Sequence, residues 1–192
     1  MSNLSPVSVT TDDGVPVFQK VLELFAGGFS VILSGKETVR LPKGSLLKVD
    51  EAARTAIPIK SAALLATSTT TKFLVTAPNM FQVGDHVMIE GNGTGAHSIS
   101  TIVASGVGEE INIATAIGIG ATGAVMYQAA SQGTAAADIL PNVIANAVSM
   151  YDSTVGDFVT CVLRGTAFKK RIQPHLAGHL TDIKFIHFST SY

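Results

Sequence analysis

The feature that most constrains this chain is a series of short β-type runs, separated by glycine-rich turns, in its middle third. Val, Ile, Thr and aromatic residues favour strands, while Gly, Pro, Asn and Asp favour tight turns. Several short strands in close succession predict a small barrel or sandwich. The five runs are KFLVTA (72–77), HVMIE (86–90), HSISTIV (97–103), EINIATAI (110–117) and GAVMYQA (123–129).

Strands are also predicted on both sides of this region. Residues 157–172 have the strongest strand pattern, which places Val159, Cys161 and Leu163 on one apolar face. Pro58 predicts an edge position for its strand, because proline cannot donate to a ladder. We therefore predict a mainly β fold (β-rich α+β) with short helical turns. The further strands are expected at 29–33, 41–49, 56–65 and 182–192, and the helical turns within 134–152, before Pro141, and within 173–180; segment 15–33 otherwise stays open between helix and strand.

The composition points to a protein whose surface is partly covered by copies or partners. Ala, Gly, Ser and Thr supply 76 of the 192 residues, and charged residues only 14%. The net charge is −1, but residues 73–163 carry seven acids and no Lys or Arg, whereas residues 164–192 carry five basic residues and one acid. This uneven distribution of charge has two interpretations. It arises by chance in a chain with few charged residues, or it allows the acidic middle of one copy to attract the basic end of a neighbouring copy.

The compartment is predicted from the cysteine count and from the absence of targeting patterns. The polar, acidic start does not resemble a signal peptide. The longest uncharged run, 111–137, is interrupted by glycines, so no membrane span is expected. A single cysteine, Cys161, excludes an internal disulfide. These features fit a reducing cytoplasm, or a particle assembled there.

Three segments, in this order, resemble the lambda-type head decoration (capsid-stabilising) proteins of tailed bacteriophages. They are a turn and strand at Pro42–Leu47, an apolar segment at Ile139–Val148 and a strand ending in Leu-Arg-Gly at Val159–Gly165. The resemblance covers about half of the chain, and none of its motifs is catalytic. The chain departs from the family in having Lys43 before the glycine, Asn146-Ala147-Val148 where an acid is usual, and about 60 extra residues, 67–127.

The resemblance implies a structural protein on the outside of a phage capsid. It implies homotrimers at local threefold positions that clamp neighbouring copies of the major capsid protein. Residues 1–20 are then the arm that adds a strand to the shell, and residues 67–127 an inserted small β domain projecting from a core made of 21–66 and 128–192. The candidate capsid contacts in the arm are Val7, Val9, Thr10 and Thr11.

Basic residues near the end of the chain are candidates for contacts between subunits or with the capsid. Lys169, Lys170 and Arg171 form a cluster near Arg164, and the acidic middle of another copy offers a partner. Nucleic-acid binding is the alternative, but a small cluster with one aromatic residue supports it weakly.

Two other motifs have both a chemical and a plainer structural interpretation. Gly118-Ile-Gly-Ala-Thr-Gly123 matches a dinucleotide fingerprint, but no following helix and no acid about 20 residues later are visible, which favours a hairpin turn. His175 and His179 have the spacing of zinc ligands on a helix, with Asp182 and His187 nearby, yet no general base accompanies them, so a polar turn is favoured.

The remaining candidate chemistry is weaker still. Cys161 lies in mid-strand and is expected to be a buried structural thiol. We therefore expect no enzyme, cofactor or metal. The alternatives to capsid decoration are another virion component, such as a head fibre, tail or baseplate β module, and a ligand-binding β domain. The sugar-binding form of the last needs exposed aromatic faces, for which residues 67–127 offer only Phe73, Phe81 and Tyr127.

Overall fold

A computed structural model describes residues 16–33, 38–77, 79–92, 95–152 and 158–191. The described chain consists of sixteen strands and two short 3-10 helices, which confirms the prediction of a mainly β fold. The strands are β1 Phe18–Leu24, β2 Phe29–Val31, β3 Thr38–Leu41, β4 Leu46–Asp50, β5 Thr55–Pro58, β6 Ser61–Ala63, β7 Lys72–Val75, β8 His86–Ile89, β9 His97–Ser105, β10 Gly108–Ile113, β11 Val125–Gln128, β12 Val143–Ala145, β13 Ser149–Asp152, β14 Phe158–Val159, β15 Cys161–Phe168 and β16 Ile186–Ser189; the 3-10 helices are Lys169–Arg171 and Ala177–Leu180.

An eight-stranded sheet forms the first part of the fold. Its order is β1-β15-β12-β4-β5-β2-β14, and β16 pairs in parallel with β15. Successive side chains of a strand point to opposite faces, and here both faces are covered. Leu46 and Val162 join one apolar cluster, whereas Leu47 and Cys161 join another. Burial on both faces explains the adjacent apolar residues at these positions and the wholly apolar sequence of β12.

A six-stranded sheet, in the order β6-β11-β8-β9-β10-β7, forms the second part. Its two ends are joined by hydrogen bonds from Leu65 N to Leu74 O (2.9 Å) and from Thr76 N to Ala63 O (3.0 Å). Phe73, Phe81 and ten other buried residues fill its interior. The five strands predicted in the middle third are therefore present. The sixth, β6, lies just before the predicted insertion at 67–127, and the division into domains stays a prediction.

The structure resolves segment 15–33 as strands β1 and β2 over its described residues, and it corrects two sequence-based expectations. No helical turn precedes Pro141, because Ala137 bridges to Ala129 and Asp138 N donates to Gln128 O (3.0 Å), so that segment lies beside the end of β11. Pro58 does not lie on an edge strand, since β5 pairs with both β4 and β2. Proline is tolerated there because β2 pairs only with Thr55 and Ala56, so no neighbour requires the missing N–H.

The side chain of Gln173 joins the start of β4 to the link between the two sheets. Its Oε1 accepts from the buried Leu46 N (3.0 Å), and its Nε2 donates to Ile59 O (2.6 Å) and to Ser61 Oγ (2.9 Å). Ser61 Oγ in turn donates to Pro174 O. Backbone groups on both sides of the β5–β6 link therefore depend on one amide.

Gly44 lies where the turn before β4 presses against two other segments. Its φ is +90°, and an added Cβ would lie 2.9 Å from Val17 Cγ1 and 3.3 Å from Ile172 Cα. Its N–H donates to Ala145 O (3.0 Å) and its carbonyl accepts from Gln173 N (3.1 Å). Both the backbone conformation and the close approach therefore require glycine at this position.

Gly44→Ala is expected to lower the free energy of unfolding by about 2–3 kcal/mol, because it combines left-handed strain with a steric clash. Urea denaturation measures the change. Gly84→Ala is the matched control, since Gly84 has a φ of +95° but no heavy atom within 4 Å of the added Cβ, and should lose only about 1 kcal/mol. Equal losses in the two variants would contradict the close-packing explanation.

Gln173→Ala is expected to cost about 2–3 kcal/mol in the same measurement, because it leaves the buried Leu46 N–H without its acceptor. Gln19 is exposed on β1, so Gln19→Ala should change stability by less than about 0.5 kcal/mol. A Gln173→Ala variant as stable as Gln19→Ala would show that the amide does not hold the link together.

Candidate functional site

The three segments that carry the family resemblance become neighbouring strands. β12 lies between β4 and β15, with Ile144 opposite Leu46 on one side and Val162 on the other. Further bonds tie the segments together, from Ala145 N to Ser45 O (2.9 Å) and from Asn146 N to Thr160 O (2.7 Å). Segments nearly 100 residues apart in sequence thus form one continuous unit at the centre of the eight-stranded sheet.

The candidate arm leads into an exposed edge strand. Val7, Val9, Thr10 and Thr11 lie outside the described residues, but the last part of the predicted arm is described. Phe18 to Lys20 belong to β1, which pairs with β15. Every residue of β1 after Phe18 is exposed.

The four candidate contact residues near the end of the chain fall into two separate places. Arg164 lies within β15 and its Nη1 is 3.9 Å from Glu23 Oε2 of β1, with both side chains mostly exposed. Lys169, Lys170 and Arg171 form the 3-10 helix after β15. A strand advances about 3.3 Å per residue, so Arg164 and Lys169 are roughly 16 Å apart along the chain.

A lysine that the sequence analysis did not connect with this helix lies beside it. Lys43 Nζ is 5.5 Å from the centre of the Phe18 ring. Arg171 stacks on Phe168 at 4.6 Å, and its Nη1 donates to Pro16 O (2.9 Å). The close contact of Gly44 with Val17 and Ile172 brings Lys43 to the same corner. We call Lys43, Lys169, Lys170 and Arg171 the cationic cluster.

The two histidines with zinc-ligand spacing do not share a helical face. The chain from Gln173 to Leu176 is not helical, so the i, i+4 relation of an α-helix is absent. His175 Nδ1 is bound to Gln173 O (2.9 Å), whereas His179 is buried and its ring is nearly perpendicular to that of Tyr127, with 6.5 Å between the ring centres. In the part of the chain that the structure describes, no three His, Cys, Asp or Glu side chains gather as a metal site requires.

Burial keeps His179 neutral. Its Nδ1 accepts from Leu176 N (3.4 Å), which leaves the proton on Nε2. Desolvation, with a smaller contribution from nearby His175, lowers the pKa of His179 to about 4. Desolvation also lowers the pKa of His175. Charging either ring therefore opposes the folded state.

Cys161 is a buried structural thiol, as predicted. It packs with Val159 and Leu47 in the first apolar cluster of the eight-stranded sheet. Desolvation raises the pKa of its thiol to about 12, so the reactive thiolate is scarce at neutral pH. This environment favours packing and does not activate the sulfur.

The glycine-rich motif at 118–123 is a crossing loop, and the hairpin prediction is wrong. It connects β10 to β11, which lie apart in the six-stranded sheet. The loop is held by Gly120 N donating to Ser68 Oγ (2.8 Å) and Gly123 N donating to Leu64 O (2.8 Å). A strand follows the motif where a dinucleotide site has a helix, so the phosphate-binding geometry is absent from these residues.

A cavity of about 380 Å³ lies where the turn before β4 meets β6. Its polar lining includes Ser45, Ser61, Asn79 and Gln173. Ser45 Oγ donates to Pro42 O (2.7 Å), and Asn79 Nδ2 donates to Glu109 Oε2 (2.7 Å). These four side chains are all engaged in internal hydrogen bonds, so they stabilise the fold around the cavity.

No family model, curated protein or solved structure matches this chain.

The three aromatic residues of 67–127, Phe73, Phe81 and Tyr127, are all buried, which disfavours a stacking platform for sugars in this segment. The described ranges contain no helix with the length and apolar character needed to cross a bilayer.

Acid is expected to destabilise the chain in a window set by His179. The pKa of His179 is 6.5 in the unfolded chain and about 4 in the folded chain. Between these two values the unfolded chain binds a proton that the folded chain does not, so the free energy of unfolding is highest above about pH 6.5 and decreases towards pH 4. The loss is on the order of 3 kcal/mol. Urea denaturation at pH 7, 5.5 and 4 should show a shallower decline in His179→Gln than in the original chain. His187→Gln, at an exposed position of β16, is the control; an unchanged slope in His179→Gln would contradict the assignment.

Proposed function

We propose that this chain is a structural virion protein that binds the outside of a tailed-phage capsid and stabilises it, as a homotrimer at local threefold positions. The observation that carries the proposal is the adjacency of β4, β12 and β15. The three family-like segments are distant in sequence, yet they form one hydrogen-bonded unit. Three segments that matched the family only by chance would not be expected to pair with one another as neighbouring strands.

The position of the N-terminal segment is compatible with this role. The segment joins the fold at β1, an edge strand with exposed Leu22 and Leu24. Strand addition to a partner requires an extended chain with available backbone groups, and residues 1–15 precede such a strand directly. Val7, Val9, Thr10 and Thr11 are the proposed contacts with the major capsid protein.

The cationic cluster is the proposed contact between subunits or with an acidic capsid surface. It retains Lys169, Lys170 and Arg171 from the sequence analysis and adds Lys43. Arg164 has an acidic neighbour in its own chain and lies on a different part of the surface. Complementary charge would orient neighbouring copies and accelerate their docking.

Immunogold labelling of particles from the phage that encodes this chain tests the role directly. Even labelling over the head is expected, and particles assembled without the chain serve as the control. Label confined to the tail would move the chain to the alternative class of tail or baseplate modules. Absence of label from every particle would reject the virion role.

Lys169→Glu with Lys170→Glu is expected to reduce the number of copies per particle at least about fivefold, because attraction to an acidic surface becomes repulsion. Quantitative gel analysis of purified particles measures occupancy. Lys48→Glu is a charge-reversal control, because Lys48 is exposed on β4 and is not a member of the cluster. Equal occupancy for the double variant and the control would remove the cationic cluster from the interface.

A further inference from the structure

A groove with an acidic rim lies between the end of β4, the start of β12 and the segment that leads into β16. It encloses a cavity of about 230 Å³. Its walls are mostly apolar and include Phe25, Val143, Leu163 and Phe185, and the last of these is 65% exposed. Pockets for small-molecule ligands are larger, about 300–1,000 Å³, so this cavity is better matched to one side chain of a partner.

The charged residues of this acidic groove are Glu51, Asp182 and Lys184, and all three are exposed. None of the ion pairs found among the described residues involves them. By contrast, Asp85 and Glu110 of the acidic middle segment already bind lysines of their own chain. The groove therefore combines a net negative charge with an apolar interior, and it suits a partner side chain that is both cationic and apolar.

The cationic cluster lies at the opposite end of β4 from this groove. Lys43 precedes the strand, and an added Cβ at Gly44 would lie 3.4 Å from the carbonyl oxygen of Arg171, which places the cluster near the first residue of β4. Glu51 follows the last residue of the same strand. Because a strand rises about 3.3 Å per residue, β4 separates Lys43 from Glu51 by roughly 17 Å. Lys43 therefore does not reach Glu51 of its own chain.

We propose that the acidic groove receives the cationic cluster of a second copy of this chain, with Lys170 as the side chain that enters the cavity. Lys170 is exposed. A lysine side chain has a long apolar stem and a charged tip, so it satisfies both properties of the groove. The stem packs against Leu163 and Phe185, and the ammonium group binds the carboxylates of Glu51 and Asp182.

A second copy is favoured as the partner because both complementary surfaces belong to one chain. A contact between two different surfaces of identical copies is head-to-tail, and it closes into a ring when the rotation allows. A threefold ring needs such a contact, whereas a single self-complementary surface gives a twofold dimer. The inference rests on the proposed homotrimer for the number of copies, and it adds the surface that the cationic cluster meets. The contact itself requires no capsid.

Zero-length cross-linking of the isolated full-length chain tests the contact. A carbodiimide activates a carboxylate for attack by an amine that lies against it, and water is lost as the amide forms. An equal mixture of isotopically light and heavy chain, at on the order of 1 mM, populates even a contact with a millimolar dissociation constant. Mass spectrometry is expected to find Lys170 of a light copy joined to Glu51 or Asp182 of a heavy copy.

Two cross-linking results would overturn the proposal. Cross-links of Lys170 to these acids that never mix the isotopes would show that the occupant comes from the same chain. Mixed cross-links that join Glu51 or Asp182 to Lys184, with none to the cationic cluster, would show that the copies meet in another way. The absence of any cross-link at this concentration would reject the contact as well.

Charge reversal provides an independent test by sedimentation equilibrium. Glu51→Lys with Asp182→Lys is expected to raise the dissociation constant between copies at least about tenfold, because attraction becomes repulsion. Adding Lys169→Glu with Lys170→Glu should return it to within about threefold of the original value, since opposite charges face each other again. Glu110→Lys, on β10 and outside the groove, is the control. A groove variant that associates as tightly as this control, or that the added reversal does not restore, would contradict the proposal.

Failure of this contact is distinguishable from failure of the proposed capsid role. Absence of the cross-links together with immunogold label over the head would reject the contact and leave the capsid role in place. Mixed-isotope cross-links together with unlabelled particles would support the contact and reject the virion role.

Discussion

The amide of Gln173 is the interaction on which the arrangement of the two sheets depends. It serves Leu46 at the start of β4 and Ile59 and Ser61 at the link into β6. Buried backbone groups must be hydrogen-bonded, and β4 and β6 diverge at this corner, so they do not supply partners to each other. The Gln173 side chain supplies the partners for Leu46 N and Ile59 O, and these bonds also hold the C-terminal segment that contains Gln173 in place.

The centre of the eight-stranded sheet explains why the chain contains so many small and apolar residues. β12 is buried on both faces, as are Leu46 and Leu47 of β4 and Cys161 and Val162 of β15 beside it, so both sets of alternating side chains are apolar there. Cys161 and Ala145 belong to this pattern as small residues in one packed cluster. The low charge of the chain follows from this double burial as well as from any partner that covers its surface.

The corner at which the N-terminal segment joins the fold combines an edge strand with a concentration of positive charge. Phe18 and Phe168 are buried beneath Lys43 and Arg171, so the two cations are held over aromatic rings. Positive charge is therefore concentrated beside the start of β1, where the proposed contact with a neighbouring subunit or a capsid would use it.

Local sequence by itself determined that the chain is mainly β, where most of its strands lie, and that Cys161 is buried. Alternation of apolar residues and the placement of turn residues act within a few neighbours, so they are visible in sequence. Only the tertiary structure decided that β6 belongs to the six-stranded sheet, that Lys43 joins Lys169–Arg171 while Arg164 does not, and that His179 is buried. These outcomes depend on strand pairings between residues far apart in sequence, and the burial that they create cannot be read from a short stretch of residues.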